Sequence, residues 1–179
     1  LSSIEAFVFA TVLIFIAFLL VLTTNTLTVQ LSFVAVILAG VYPFLKRYTY
    51  LPQIFLGLAF GWSIPMTFAA TTNSIPDIAW LLLIANILWT VVYDTIYAMV
   101  DREDDLKIGI KSTAILFDDA DRIIIAIIQV LALAALAIVG KQASLNFVYY
   151  FCLILGGCLF VYQSYLIITH YKKLLDYIN

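Results

Sequence analysis

The sequence predicts an all-α protein, a polytopic transmembrane helical bundle with six spans. Of its 179 residues, 65% are hydrophobic and only 11% are charged, whereas about 25% of the residues in a soluble domain are charged. Apolar runs of roughly 15 to 23 residues recur along the chain, and such runs are long enough to cross a bilayer core of about 30 Å. Most acidic residues, in contrast, lie in one short stretch. These observations exclude a soluble globular domain and indicate a specialised site in that stretch.

The spans follow one another with short polar turns between them. Ser2 and Glu5 are suited to cap the first helix. Pro43 is expected to end the second span, and Gly109 is expected to break the helix that carries the acidic stretch. No linker or internal repeat divides the chain, so we predict a single membrane domain. The predicted spans are residues 6–22, 31–42, 52–70, 79–99, 122–139 and 146–169.

The third span contains residues that predict its shape. Pro52 fits the first turn of a helix, where a missing amide hydrogen costs nothing. Pro65 lies inside the span and predicts a kink. Gly57 and Gly61 form a GxxxG pattern, which is typical of close packing against a neighbouring helix.

Basic residues are distributed asymmetrically between the two sides that six spans define. One side has Lys141 alone, whereas the other has eight: Lys46, Arg47, Arg102, Lys107, Lys111, Arg122, Lys172 and Lys173. Cytoplasmic loops of membrane proteins are enriched in Lys and Arg. We therefore expect the loop around Lys46 and the acidic stretch to face the cytoplasm, or the matrix in an organelle.

The acidic stretch predicts a divalent-metal site. Eight of the 11 acidic residues lie between Asp94 and Asp121. If residues 92–105 are helical, Asp94, Asp101 and Asp105 fall within about 40° of one another on one face. Asp101 and Asp105 are i,i+4 neighbours whose like charges repel in the absence of a cation. Mg²⁺ prefers such oxygen ligands and shares them with substrate phosphates, so a phosphate-bearing ligand is expected.

Other interpretations of these residues remain open. Lys46, Arg47 and Lys111 could contact the phosphates directly, but an acidic loop can also be merely solvated, with Lys46 and Arg47 serving as a topology anchor. An ion-coupled transporter could use the acidic cluster, although transporters often have inverted repeats and broken helices at the membrane midplane. An aminoalcohol-type phosphotransferase would need a longer acidic motif, which is missing. A purely structural scaffold does not explain the aligned carboxylates.

Two motifs resemble those of the UbiA-type intramembrane prenyltransferases. Residues 93–113, YDTIYAMVDREDDLKIGIKST, are similar to the second aspartate-rich motif of this family. Upstream, Tyr42-Pro43-Phe44-Leu45-Lys46-Arg47 is similar to its Tyr-x-x-x-Lys element. The resemblance extends from about Leu1 to Asn179 and is strongest to the branch that acts on 4-hydroxybenzoate in ubiquinone biosynthesis.

The resemblance implies a Mg²⁺-dependent transfer of a polyprenyl group from polyprenyl diphosphate to 4-hydroxybenzoate, ortho to its hydroxyl. It implies that Asp101 and Asp105 hold one Mg²⁺ on the diphosphate. It also implies that the diphosphate is bound, and stabilised as it leaves, by Tyr42, Lys46, Arg47 and Lys111. Asp94 is expected to orient the aromatic acceptor or to take its proton.

The resemblance also implies an incomplete chain. Family members have nine spans and a first aspartate-rich motif, and the sequence is expected to lack that motif, the first two spans and the last. This sequence alone is therefore expected to be inactive. The implied location is a bacterial inner membrane or the mitochondrial inner membrane, and no nucleic-acid partner is expected.

Overall fold

The structure, a computed structural model, describes residues 2–178, with side chains up to Thr169. Within this range all regular elements are helical, apart from one 3-10 turn at Asp118–Ala120. Six helical segments of the described residues are long and apolar enough to cross a membrane, as predicted. The helices are α1 (Ser3–Leu22), α2 (Thr26–Leu45), α3 (Pro52–Gly61), α4 (Ser63–Thr72), α5 (Asp77–Ile108), α6 (Thr113–Phe117), α7 (Asp121–Gln142) and α8 (Phe147–Ile178).

The first helix begins as predicted, whereas the second begins five residues earlier than predicted, at Thr26, and ends later. At the start of α1, the Glu5 amide donates to Ser2 Oγ and the Ser2 amide donates to Glu5 Oε2, which completes a capping box. The prediction that Pro43 ends the second span is wrong, because α2 continues to Leu45. Pro43 has no amide hydrogen to donate to the Ala39 carbonyl, four residues earlier. Because Pro43 lies two residues before the end of α2, the loss of this one hydrogen bond does not stop the helix.

The predicted kink in the third span is confirmed, and it divides the span into α3 and α4. The break lies at Trp62, three residues before Pro65. Pro65 has no amide hydrogen to donate to the Gly61 carbonyl, four residues earlier. The Trp62 indole donates to the carbonyl of Leu31 at 3.0 Å, so the break is held against α2.

The predicted close packing of the GxxxG pattern is also confirmed. A Cβ added to Gly57 would lie 2.8 Å from the Cα of Ile87, and one added to Gly61 would lie 2.6 Å from Asn86 Nδ2. The Asn86 amide donates to the carbonyl of Gly57 at 3.0 Å. The two glycines therefore let α3 lie directly against α5.

The central helix α5 is longer than the predicted span of residues 79–99. It has 32 residues, which corresponds to about 48 Å at 1.5 Å per residue. It ends at Ile108, and the next residue, Gly109, has a φ of 73° and forms the break expected there. Past this break lies the short helix α6 (Thr113–Phe117), which was not predicted. Asp121 then begins α7, one residue before the predicted start.

Two hydrogen bonds define the ends of the bundle. The Lys46 carbonyl accepts from the Lys111 amide at 2.8 Å, which joins the loop after α2 to the loop after α5. At the other end, the Asn25 side chain donates to the Ala69 carbonyl at 2.5 Å. The loop around Lys46 and the acidic stretch therefore lie at the same end, as predicted. The side chains of Lys172 and Lys173 lie outside the described residues.

Candidate functional site

The predicted carboxylates lie on one uninterrupted helix. Asp94, Asp101 and Asp105 all belong to α5, which confirms the helical conformation on which their shared face depends. Asp101 is exposed, whereas Asp94 and Asp105 are partly buried. Lys46 lies near enough for its charge to act on both Asp94 and Asp105, and the charge of Asp101 acts on Asp105 as well. The charge of Lys46 therefore acts on two carboxylates whose residues are about 16 Å apart along the helix.

Tyr42 is placed beside the same face. Its hydroxyl interacts electrostatically with Asp94 and with Tyr93. Tyr42 and Lys46 are four residues apart, at the end of α2 and just after it. They therefore approach Asp94 from the same direction.

The other two predicted cations are placed differently. The Lys111 ammonium lies 5.2 Å from the centre of the Tyr50 ring and donates to the carbonyl of Tyr48 at 3.4 Å. The Lys111 side chain is thus directed at the loop after α2 (residues 46–51). The Lys111 backbone amide, not its side chain, contacts Lys46, by donating to the Lys46 carbonyl. Arg47 is exposed. Among the described contacts, none joins Arg47 or the Lys111 ammonium to Asp101 or Asp105.

A buried polar cluster behind Asp94 was missed in the sequence. Gln53, Thr95 and Thr113 are 1%, 0% and 0% exposed. The Thr113 amide donates to Gln53 Oε1 at 3.2 Å, and the hydroxyls of Thr95 and Thr113 lie 2.5 Å apart. The Gln53 side chain also hydrogen-bonds to Asp94. In the sequence, this cluster was indicated only by uncharged polar residues next to Pro52 and within the 93–113 motif.

Several of the eight acidic residues form ion pairs with bases. Arg102 pairs with Asp121, which is 2% exposed, and lies 3.8 Å from Asp118. This pair joins the end of α5 to the start of α7. Asp104 pairs with Lys107 on the exposed surface at 2.8 Å. These three acids therefore have structural partners, which sets them apart from Asp101 and Asp105.

The donors present are compatible with Mg²⁺ as part of a shared ligand set. Among the residues whose side chains are described, no group of three or more His, Cys, Asp or Glu side chains could hold a metal ion. Asp101 and Asp105 provide two carboxylates one turn apart, and Mg²⁺ is usually bound through one or two carboxylates together with substrate phosphates. The assignment of these two residues as ligands stays a prediction.

An apolar cavity of about 670 Å³ lies elsewhere, among α4, α5, α7 and α8. Trp89 and Phe160 form one wall, with ring centres 5.3 Å apart. The α5 residues that line the cavity are centred about 130° around the helix from Asp94. It therefore opens on a different side of α5 from the carboxylates. Trp62 does not line this cavity and contacts Trp80 and α2.

Comparison with known proteins identifies the family of the chain. The model of the UbiA prenyltransferase family matches residues 1–175. The chain belongs to the UbiA prenyltransferase family. It is 57% identical over 172 residues to a protein of Enterobacter sp. (strain 638) named 4-hydroxybenzoate octaprenyltransferase, a match that covers 96% of this chain and 60% of that protein. Proteins of the same name in Saccharophagus degradans and Citrobacter koseri are 59% and 58% identical, over 91% and 94% of this chain.

The chain spans 54% to 60% of the length of these curated relatives. No solved structure matches it significantly. The family thus follows from the sequence match, whereas the geometry of the site comes from the contacts described above.

Proposed function

We propose that the protein transfers a polyprenyl group from polyprenyl diphosphate to 4-hydroxybenzoate, ortho to the hydroxyl, with Mg²⁺ as cofactor. The observation that carries this proposal is that the charge of Lys46 acts on Asp94 and Asp105 of α5, at one end of an apolar bundle. The names of the relatives give the acceptor and the prenyl donor class. The product is expected to enter ubiquinone biosynthesis.

The residues of the site have distinct roles in this reaction. Lys46, with Tyr42 beside it, binds the diphosphate and stabilises the negative charge that grows as the bond between the prenyl carbon and oxygen breaks. Arg47 and Lys111 are the further cations that can reach a diphosphate from the loops. Asp101 and Asp105 would hold Mg²⁺, which supplies additional positive charge to the diphosphate when bound.

Asp94 is the residue best placed to act on the aromatic acceptor. Departure of the diphosphate leaves an allylic cation, and the ring carbon ortho to the hydroxyl forms the new carbon–carbon bond. The ring then loses one proton from that carbon. A partly buried carboxylate next to Tyr42 can orient the acceptor hydroxyl or accept a proton.

The environment of the site favours this chemistry over ion transport. The carboxylates lie toward one end of the bundle, near loops that carry Lys46, Lys111 and Tyr50. A lipid diphosphate can place its charged group at such an end while its chain remains in the membrane. The location expected from the basic loops is an inner membrane, with this end toward the cytoplasm or matrix.

The function is tested with membranes from cells that express the gene encoding this chain, with any coding sequence that flanks it. Labelled 4-hydroxybenzoate, octaprenyl diphosphate and Mg²⁺ are supplied, and the lipid-soluble product is measured. A prenylated acid substituted ortho to the hydroxyl is expected. Absence of this product, together with uptake of a labelled ion or solute into vesicles, would replace the proposal with a transporter.

A further inference from the structure

We propose that Gln53 is a positioning residue, which holds the Asp94 carboxylate in place for the aromatic acceptor. The inference rests on the function proposed above. Gln53 follows the first residue of α3, and its side chain is 1% exposed. It reaches both α5 and the start of α6, so a single amide connects three helices.

The orientation of this amide follows from its partners. The Thr113 amide is a donor, so the Gln53 atom that meets it at 3.2 Å must be the carbonyl oxygen Oε1. The NH₂ group then faces the other partner, Asp94, whose ionised oxygens can only accept. A buried amide with both ends bonded cannot rotate without losing a hydrogen bond.

Thr113 is itself fixed, which makes the chain of contacts rigid. Its hydroxyl lies 2.5 Å from that of Thr95 on α5, and both residues are fully buried. The adjacent Ser112 caps α6 by accepting from the Ile115 amide at 3.4 Å. The 93–113 motif therefore contributes more than carboxylates, because its last residue orients the amide that reaches back to Asp94.

A simpler role is that Gln53 only satisfies the buried Thr113 amide. Gln53→Glu separates the two roles through its pH dependence. Glu has the same length and still accepts from Thr113, but it donates to Asp94 only while the two carboxyl groups share one proton. In the positioning role, Q53E lowers kcat about ten- to a hundredfold at a pH high enough to ionise both groups, and less at lower pH, each compared with the wild type at the same pH. The KM for octaprenyl diphosphate stays within about threefold of the wild-type value. Wild-type kcat in Q53E at every pH, with loss of stability in Gln53→Leu, would overturn the proposal.

A matched control tests whether any tether between α3 and α5 has the same effect. Asn86 also lies on α5 and bonds to α3, at the Gly57 carbonyl, but about 12 Å along the helix from Asp94. Asn86→Leu is expected to lower thermal stability about as much as Gln53→Leu while retaining most of kcat. Equal losses of kcat in the two variants would contradict a specific role for Gln53.

A double-mutant cycle tests whether Gln53 acts through Asp94. In the D94N background, Q53E is expected to change kcat by less than about twofold, because the carboxylate that it would misplace is already gone. If Q53E is too unstable to assay, Gln53→Met replaces it in both backgrounds. Equal losses of kcat in the two backgrounds would refute the coupling.

A labelling experiment keeps this inference separate from the proposed function. A hydrophobic carbodiimide modifies protonated carboxyl groups in membranes, and mass spectrometry reports the modification of Asp94. Loss of the Gln53 hydrogen bond favours the protonated carboxyl, so Gln53→Met is expected to be labelled at Asp94 several times faster than the wild type. Equal rates would overturn the contact between Gln53 and Asp94, whether or not prenyl transfer is observed.

Discussion

Replacement of Gly57 by alanine tests how closely α3 must approach α5. The new Cβ would lie 2.8 Å from the backbone Cα of Ile87, and ordinary contacts begin at 3.4 Å. Because a backbone atom cannot rotate away, the two helices must separate by about 0.6 Å, at a cost of about 1–3 kcal/mol. Gly57 is one turn after Gln53, so the same movement draws Gln53 away from Asp94.

The matched control is Gly40→Ala on α2, where an added Cβ has no neighbour within 4 Å. Both substitutions gain the intrinsic helix preference of alanine, about 1 kcal/mol in water, so their difference isolates the packing at α5. We expect the apparent Tm in detergent to fall for G57A relative to G40A and kcat to fall about tenfold. Equal stability and equal activity in the two variants would refute the packing argument.

Three further substitutions address the acidic end of the bundle. Arg102→Met leaves the buried Asp121 carboxylate without its main partner and is expected to destabilise the protein by about 3 kcal/mol in thermal unfolding. Full recovery of stability is expected only when Asp121→Leu is added, and unchanged stability in Arg102→Met would contradict the importance of the ion pair. Lys107→Gln removes only the exposed ion pair with Asp104 and should change stability by less than about 0.5 kcal/mol. A larger loss of stability in the same unfolding assay would contradict the expectation that this exposed pair contributes little. Lys46→Gln removes the positive charge that acts on Asp94 and Asp105 and should lower kcat/KM for octaprenyl diphosphate at least about tenfold in the transfer assay. An unchanged value would exclude Lys46 from the site.

Local sequence patterns were sufficient for the features that depend on one helix. The spacing of Asp94, Asp101 and Asp105 predicted a shared face because the helical period alone determines it. Gly109 predicted the end of α5, since glycine readily adopts the positive φ found there. Glycines four residues apart predicted a close helix contact, although not which helix would be the partner.

Features that depend on how the helices pack could not be obtained in this way. The contact of Gln53 with Asp94 and Thr113 joins residues far apart in sequence, and its existence depends on the approach of α3 to α5. The placement of Lys111 over Tyr50 likewise depends on how two loops meet. The sequence also did not distinguish Asp121 from the acids of the site. Asp121 pairs with Arg102, and this pair forms only because the chain brings the start of α7 next to α5.

The central claim is that Asp101 and Asp105 bring Mg²⁺ to a diphosphate at this end of the bundle. The most direct measurement is the Mg²⁺ dependence of octaprenyl transfer in D101N and D105N, with Glu103→Gln as the control. Glu103 is exposed between the two aspartates and faces away from them by helical phase. The account predicts that D101N and D105N lose activity or require at least about tenfold more Mg²⁺, whereas E103Q responds as the wild type does. Wild-type Mg²⁺ dependence in both aspartate variants would contradict the claim.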